Sequence, residues 1–202
     1  HFTPEEMRSI VDTAASLGLK VAAHAHGDDG ILGATEAGVA SVDHVTFASP
    51  ETLKVMKAKG TFMVPTLVAL TGVSERIGTG AYTPVVEAKG KQALAVWGKQ
   101  VQEAMKSGIK VAFGTDAGVV EHGRNAEEFR LLVDKGGMTQ RQALVSATVT
   151  SAELLGLEDE IGTLAPGKTA DIIAVAGDPL NDPDSLPKMQ FVMAQGKIIR
   201  LD

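Results

Sequence analysis

Apolar residues recur at helical spacing from the first turns of the chain. Met7, Ile10, Val11 and Ala14 fall on one face of a segment that opens with Thr3-Pro4-Glu5-Glu6. That opening carries an N-cap hydroxyl, a proline at the first helical position and a capping-box glutamate. Gly18 stops this helix, and Leu19 to Ala23 form a short apolar run of strand length. A second helical stretch covers Gly30 to Gly38, followed by a short strand that ends at His44. Ser49-Pro50-Glu51 opens a third helix, closed by Gly60, and Thr61 to Val64 read as the next strand. Residues 71–84 are rich in Gly and Thr and predict a loop. One long helix should follow, with Leu94, Trp97, Val101, Ala104 and Met105 on one face, ended by Gly108 before a strand over Ile109 to Phe113.

Four apolar strands separated by helices predict a parallel sheet covered by helices, an α/β fold. Beyond them, Ala117 to Arg124 read as a loop, Asn125 as the cap of a helix reaching Leu132, and Thr139/Gln142 and Thr150/Glu153 as two capping boxes. The texture changes near Ile161. Ile172 to Val175 form a strand, and Phe191–Ala194 and Lys197–Leu201 form a hairpin through Gln195-Gly196. The expected division is 1–158 for the barrel-type units and 159–202 for a small β segment.

Composition narrows the function. The chain has 202 residues, 44% of them hydrophobic, and a net charge of −6. No apolar run approaches the roughly 20 residues that span a bilayer. No basic stripe invites nucleic acid or an anionic membrane. Cysteine is absent, which removes disulfides, thiolate catalysis and Cys-ligated zinc. The cytoplasm is the favoured compartment. A periplasmic or secreted location stays open, because the first residue is His1 and a leader could precede it. No Walker or dinucleotide motif occurs, and no serine has a Gly-x-Ser-x-Gly context.

The candidate chemistry lies at the strand ends. His24 and His26 close the first strand, His44 the second, and Asp116 follows the fourth. Each histidine alone reads as readily as a hydrogen-bonded core residue or a cap, and Asp116 as a turn residue. Together they set metal-type ligands at the carboxyl ends of parallel strands, where a (β/α) barrel builds its active site. Imidazole and carboxylate suit zinc and similar divalent ions.

Val21-Ala22-Ala23-His24-Ala25-His26-Gly27, Ser41-Val42-Asp43-His44, Gly114-Thr115-Asp116-Ala117-Gly118 and the tail from Ile161 to Ile173 resemble the carboxyl-terminal half of the amidohydrolase superfamily. The resemblance implies strands five to eight of a (β/α)8 TIM barrel, plus strands of a small β-sandwich. It implies a divalent metal, expected to be zinc, in one or two copies, held by His24, His44 and Asp116. Asp116 would also be the catalytic proton shuttle. His26, His122 and Arg124 would contact substrate, with second-layer packing the alternative for His26 and a solvated loop pair for His122 and Arg124.

His24-Ala25-His26-Gly27 is similar to the prolidase-like branch, which implies hydrolysis of an amide or peptide C–N bond in a Xaa-Pro dipeptide or related small molecule. Deaminase branches usually carry a Glu two or three residues after the first His, where this chain has His26 and Gly27. A cyclic-amide hydrolase or imidazolonepropionase-like activity, and a noncatalytic scaffold, are the alternatives. The family's strand-one His-x-His pair and strand-four lysine are not in this sequence. The partner implied is therefore the amino-terminal half of the barrel, and a homo-oligomer is possible.

Overall fold

The computed structural model describes residues 2–201. It is a mixed α/β structure. α1 (Pro4–Ser16) begins with the expected reciprocal capping box: the Glu6 amide donates to the Thr3 hydroxyl, and the Thr3 amide to the Glu6 carboxylate. β1 (Ala22–Ala25), α2 (Asp28–Ala37), β2 (Ser41–His44), α3 (Pro50–Lys59) and β3 (Phe62–Val64) then alternate. The three strands pair in parallel in the order β1-β2-β3, with His24 beside Asp43 and Ala25 beside His44. The predicted fourth strand is reduced to a single parallel bridge between Met63 and Val111, made by the Met63 amide to Lys110 O and the Ala112 amide to Met63 O.

Two expectations fail between β3 and that segment. Residues 71–84 are not all loop, because α4 (Leu67–Arg76) occupies their first half. The long helix is two helices, α5 (Pro84–Ala95) and α6 (Lys99–Ser107). The break is at Gly98, whose φ of +80° is left-handed, and a Cβ there would lie 2.5 Å from the Lys135 backbone. Only glycine permits both the turn and the approach. The break also carries Trp97 to the start of α4, where its indole N–H donates to Leu67 O at 3.1 Å.

After the bridge come α7 (Glu127–Asp134), α8 (Gln140–Val145) and α9 (Ser151–Leu155). α7 is preceded by Ala126 rather than capped by Asn125, whose side chain instead donates to Thr115. The Thr139/Gln142 capping box forms. The Thr150/Glu153 one does not, because a π-type turn over 146–150 runs α8 straight into α9. In that wide turn the Ser151 hydroxyl donates to Ser146 O and accepts from the Phe113 amide, so the turn also serves the fourth segment.

A second sheet, β4 (Ile172–Val175), β5 (Met189–Ala194) and β6 (Lys197–Leu201), is antiparallel in sequence order. It contains the expected hairpin.

The core lies between the parallel sheet and its helices. Ile31, Val42, Met56, Met63, Val101 and Leu132 are fully enclosed, each contributing about 1.5–3 kcal/mol by burial. By contrast, α1 has no buried residue. Met7, Ile10 and Val11 face an open groove of about 660 Å³ along β1, together with Phe2, Val21 and Ala23. Among the described residues no helix is long and apolar enough to cross a membrane.

Candidate metal centre

Three imidazoles meet at the carboxyl ends of β1 and β2. One ring nitrogen from each of His24, His26 and His44 lies within 4.8 Å of the others. His26 and His44 stack with ring centres 4.4 Å apart, and His24 meets both edge-on. His24 Nδ1 and His44 Nε2 are 2.9 Å apart. Nitrogens at about 2.0–2.1 Å around a tetrahedral zinc stand roughly 3.3 Å apart. Ring shifts of up to about 1 Å therefore bring all three into one coordination sphere. Asp116 lines the same cavity.

The outer ring nitrogens support this reading. His44 Nδ1 is 2.6 Å from the Thr66 hydroxyl, and His26 Nδ1 is 2.7 Å from that of Thr46. With each Nδ1–H donating outward, Nε2 keeps its lone pair for a cation, as is usual for metal-ligating histidine. Burial, then the charges of His26 and His24, pushes His44 down to about 4, against the opposing pull of Asp116. Burial, then His24, also lowers His26. Both rings are thus neutral at pH 7 and free to ligate. Burial, followed by repulsion from Asp116, raises the Asp43 carboxyl. The donor set of imidazoles with a neighbouring carboxylate fits a divalent cation of the zinc type.

The backbone is strained where it delivers these groups. His44, Val45, Thr66 and Asp116 all have left-handed φ, at 73°, 52°, 48° and 51°. For branched residues such as Val45 and Thr66 that is a true outlier. Each costs about 1–3 kcal/mol, and such strain gathers at functional sites.

Thr66 is held in place from behind. It immediately precedes α4, whose first two amides, Leu67 and Val68, donate to the two carboxylate oxygens of Glu128 at 2.9 and 2.7 Å. Glu128 is fully buried on α7. Burial outweighs those two hydrogen bonds and pushes its carboxyl up to about 7.

The structure thus gathers His24, His26, His44 and Asp116 around one cavity. His26, expected at the substrate, is close enough to be a ligand itself. His122 is exposed and does not line this cavity, and neither does Arg124. Arg124 spans Glu75 and Glu127 through four hydrogen bonds of 2.7–3.0 Å. Those bonds hold its guanidinium above its ordinary range and Glu75 below. They tie the loop after Asp116 to α4. Sequence reasoning did not single out Thr46, Thr66 or Glu128. The hydroxyls lie two residues beyond a strand end, a faint signal, and Glu128 has none.

Removing one hydroxyl tests the outer contacts. Thr66→Val should weaken metal affinity roughly 10–100-fold, read by chelator competition, with Thr46→Val acting in the same direction.

Comparison with known proteins gives the family. The model of the amidohydrolase family matches residues 1–201. Ochratoxinase of Aspergillus niger is 38% identical over 90% of this chain and 37% of its own length. Imidazolonepropionase of Cutibacterium acnes is 31% identical over 100% of this chain and 47% of its own. A crystal structure of a Xaa-Pro dipeptidase with methionine bound in the active site superposes with a TM-score of 0.94 at 38% identity, covering 99% of this chain and 49% of that one. The chain belongs to the amidohydrolase family. It spans about half the length, or less, of the relatives it matches.

Proposed function

We propose that this chain is the carboxyl-terminal half of a (β/α)8 amidohydrolase that cleaves an amide or peptide C–N bond, with Xaa-Pro dipeptides as the first substrate class. The observation that carries the reading is the convergence of three imidazoles on one point beside Asp116. The uncovered groove along β1 supports the half-barrel part, since an upstream strand and helix would cover it.

In this reading His24 and His44 hold a divalent metal, zinc by donor type, with Asp116 and with His26 as a further candidate. When bound, such an ion supplies Lewis acidity that acidifies water and polarises a carbonyl. The protein does the rest. Thr46 and Thr66 keep His26 and His44 in one tautomer and orientation. Asp116, at the cavity wall, accepts the proton of the attacking water and returns it to the leaving nitrogen, the work of a positioned carboxylate. Arg124 holds the loop after Asp116 against α4, and His122, exposed on that loop and outside the cavity lining, would meet a substrate carboxylate only where substrate extends beyond the cavity.

Imidazolonepropionase-like ring opening is the second reading, favoured by the similarity to such an enzyme. The test is to purify the full-length protein, measure its metal content, and assay a panel of Xaa-Pro dipeptides, other dipeptides and cyclic amides before and after chelation. Near-stoichiometric zinc with chelator-sensitive Xaa-Pro cleavage supports the proposal. Cleavage of cyclic amides alone shifts it to the second reading, and full activity without metal overturns both.

A further inference from the structure

Four helices of this chain, α1, α3, α5 and α8, begin with a Ser or Thr that caps its own first turn. The hydroxyls of Thr3, Ser49, Thr83 and Thr139 accept from the amides of Glu6, Thr52, Val86 and Gln142, and all four residues have extended backbone, with φ between −65° and −75°. That is the ordinary work of these residue types at a helix start. Thr66 stands at the same place before α4 and does not do it. Its φ of 48° and ψ of 46° are left-handed, and its hydroxyl caps no amide of α4. The hydroxyl is given instead to His44 Nδ1, at 2.6 Å.

The first amides of α4 are taken by another helix. Leu67 and Val68 donate to the two carboxylate oxygens of Glu128, which reaches them from α7 and is fully buried. Burial and these two amides are what act on its carboxyl, with no cation among them. A buried carboxyl without a cation is a costly partner, and a threonine already stands where a cap would normally serve. Leu67 is fixed on its other side as well, because its carbonyl accepts the Trp97 indole N–H at 3.1 Å. The strained turn at Thr66 is thus held by a neighbour clamped at both its amide and its carbonyl.

We infer that Glu128 is a positioning residue of the metal centre. By capping α4 in place of Thr66, it releases the Thr66 hydroxyl to accept from His44 Nδ1, and so keeps the His44 Nε2 lone pair facing His24. Without Glu128, the nearest remedy for a stranded Val68 amide is the Thr66 hydroxyl itself, since a cap serves the second or third amide of its helix. Thr66 would then relax to the extended backbone of the other four caps, and His44 would lose its outer partner. The link from Glu128 to His44 stands on these contacts alone; that it serves a metal rests on the reading of the three imidazoles as ligands.

The test uses the full-length protein. Zinc affinity is measured by chelator competition, and the His44 tautomer of the metal-free protein is read by imidazole nitrogen NMR. Glu128→Gln should bind zinc about 10–100-fold more weakly, the effect of losing an outer partner, and should shift His44 away from the Nδ1–H form. Glu128→Asp, which keeps both acceptors but draws them back by one methylene, should show the same changes to a smaller degree, and it replaces the Gln variant throughout if that one does not fold. Glu128→Gln combined with Thr66→Val should bind zinc no more weakly than Thr66→Val alone, because both act on one contact. Met56→Ala, on the enclosed face of α3, should lower the melting temperature and leave zinc affinity as it is, which separates positioning from general loss of stability. Losses that multiply in the double variant, an equal loss of zinc in Met56→Ala, or an unchanged His44 tautomer would overturn the inference. So would zinc affinity within about twofold of native in both Glu128 variants. A native protein that binds no zinc sinks the metal reading, and the tautomer comparison then decides the role of Glu128 by itself.

Discussion

His44→Ala in the full-length protein should lose its metal and lower kcat/KM by at least roughly 100-fold. Loss of an outer partner alone costs 10–100-fold in affinity or activity, and this substitution removes a ligand itself. The size of the effect follows from how much converges on that ring. Its Nε2 faces His24 at 2.9 Å, its Nδ1 is tied to Thr66, and its plane stacks on His26. Alanine removes all three contacts. The backbone at this position already sits at a left-handed φ of 73°, so the fold gains nothing from the truncation that would re-form the site. Metal content by atomic absorption and activity on the same sample check the result. A variant that keeps its metal while losing activity would show that His44 acts on substrate instead.

The second large effect is expected at Glu128, and on stability. Glu128→Ala strands two buried amide donors at the start of α4 and leaves a void, a loss of roughly 3–5 kcal/mol. The native carboxyl also makes stability depend on pH. Its value rises from 4.5 in the ordinary state to about 7 in the fold. A raised carboxyl means that the folded state holds the proton more tightly. The stabilisation is therefore fully present below pH 4.5 and disappears as pH climbs through 7. Across that window the change is roughly 3 kcal/mol. Glu128→Gln, which cannot ionise, should flatten this part of the pH profile while costing about 1–3 kcal/mol through one mismatched amide. Melting temperatures of the native protein and the Gln variant between pH 5 and 8 decide the matter. Parallel profiles would rule out Glu128 as the source.

The parallel strands were legible because each is short, apolar and closed by a histidine or a proline. The histidines were legible as a set because successive strand ends must share one end of the sheet. α4 was not, and the reason is physical. Thr71-Gly72-Val73-Ser74 has poor helix propensity, yet tertiary contact overrides it. A Cβ on Gly72 would lie 2.8 Å from Val119 O, so the glycine that reads as a loop signal is what lets this helix touch the loop after Asp116. The break at Gly98 was hidden by apolar spacing that continues in phase across it. Val111 lies beside Met63 with too few ladder bonds to make a full strand. Glu128 could not be found from spacing, since its partners lie 60 and 61 residues away on another helix.

The wide turn at 146–150 has a consequence for any attempt to shorten this region. It stores one residue more than a regular α-helix would need, and each helical residue turns the axis by about 100°. Deleting a single position there would turn the wide turn into regular α-helix, because four residues at about 100° each sweep nearly the arc that five sweep in it. Ala152, now 2% exposed, would keep its place in the interior. What would go is the i→i+5 spacing that lets the Ser151 hydroxyl donate to Ser146 O while it accepts from the Phe113 amide. The extra residue is therefore a tie between the fourth strand segment and the last helices.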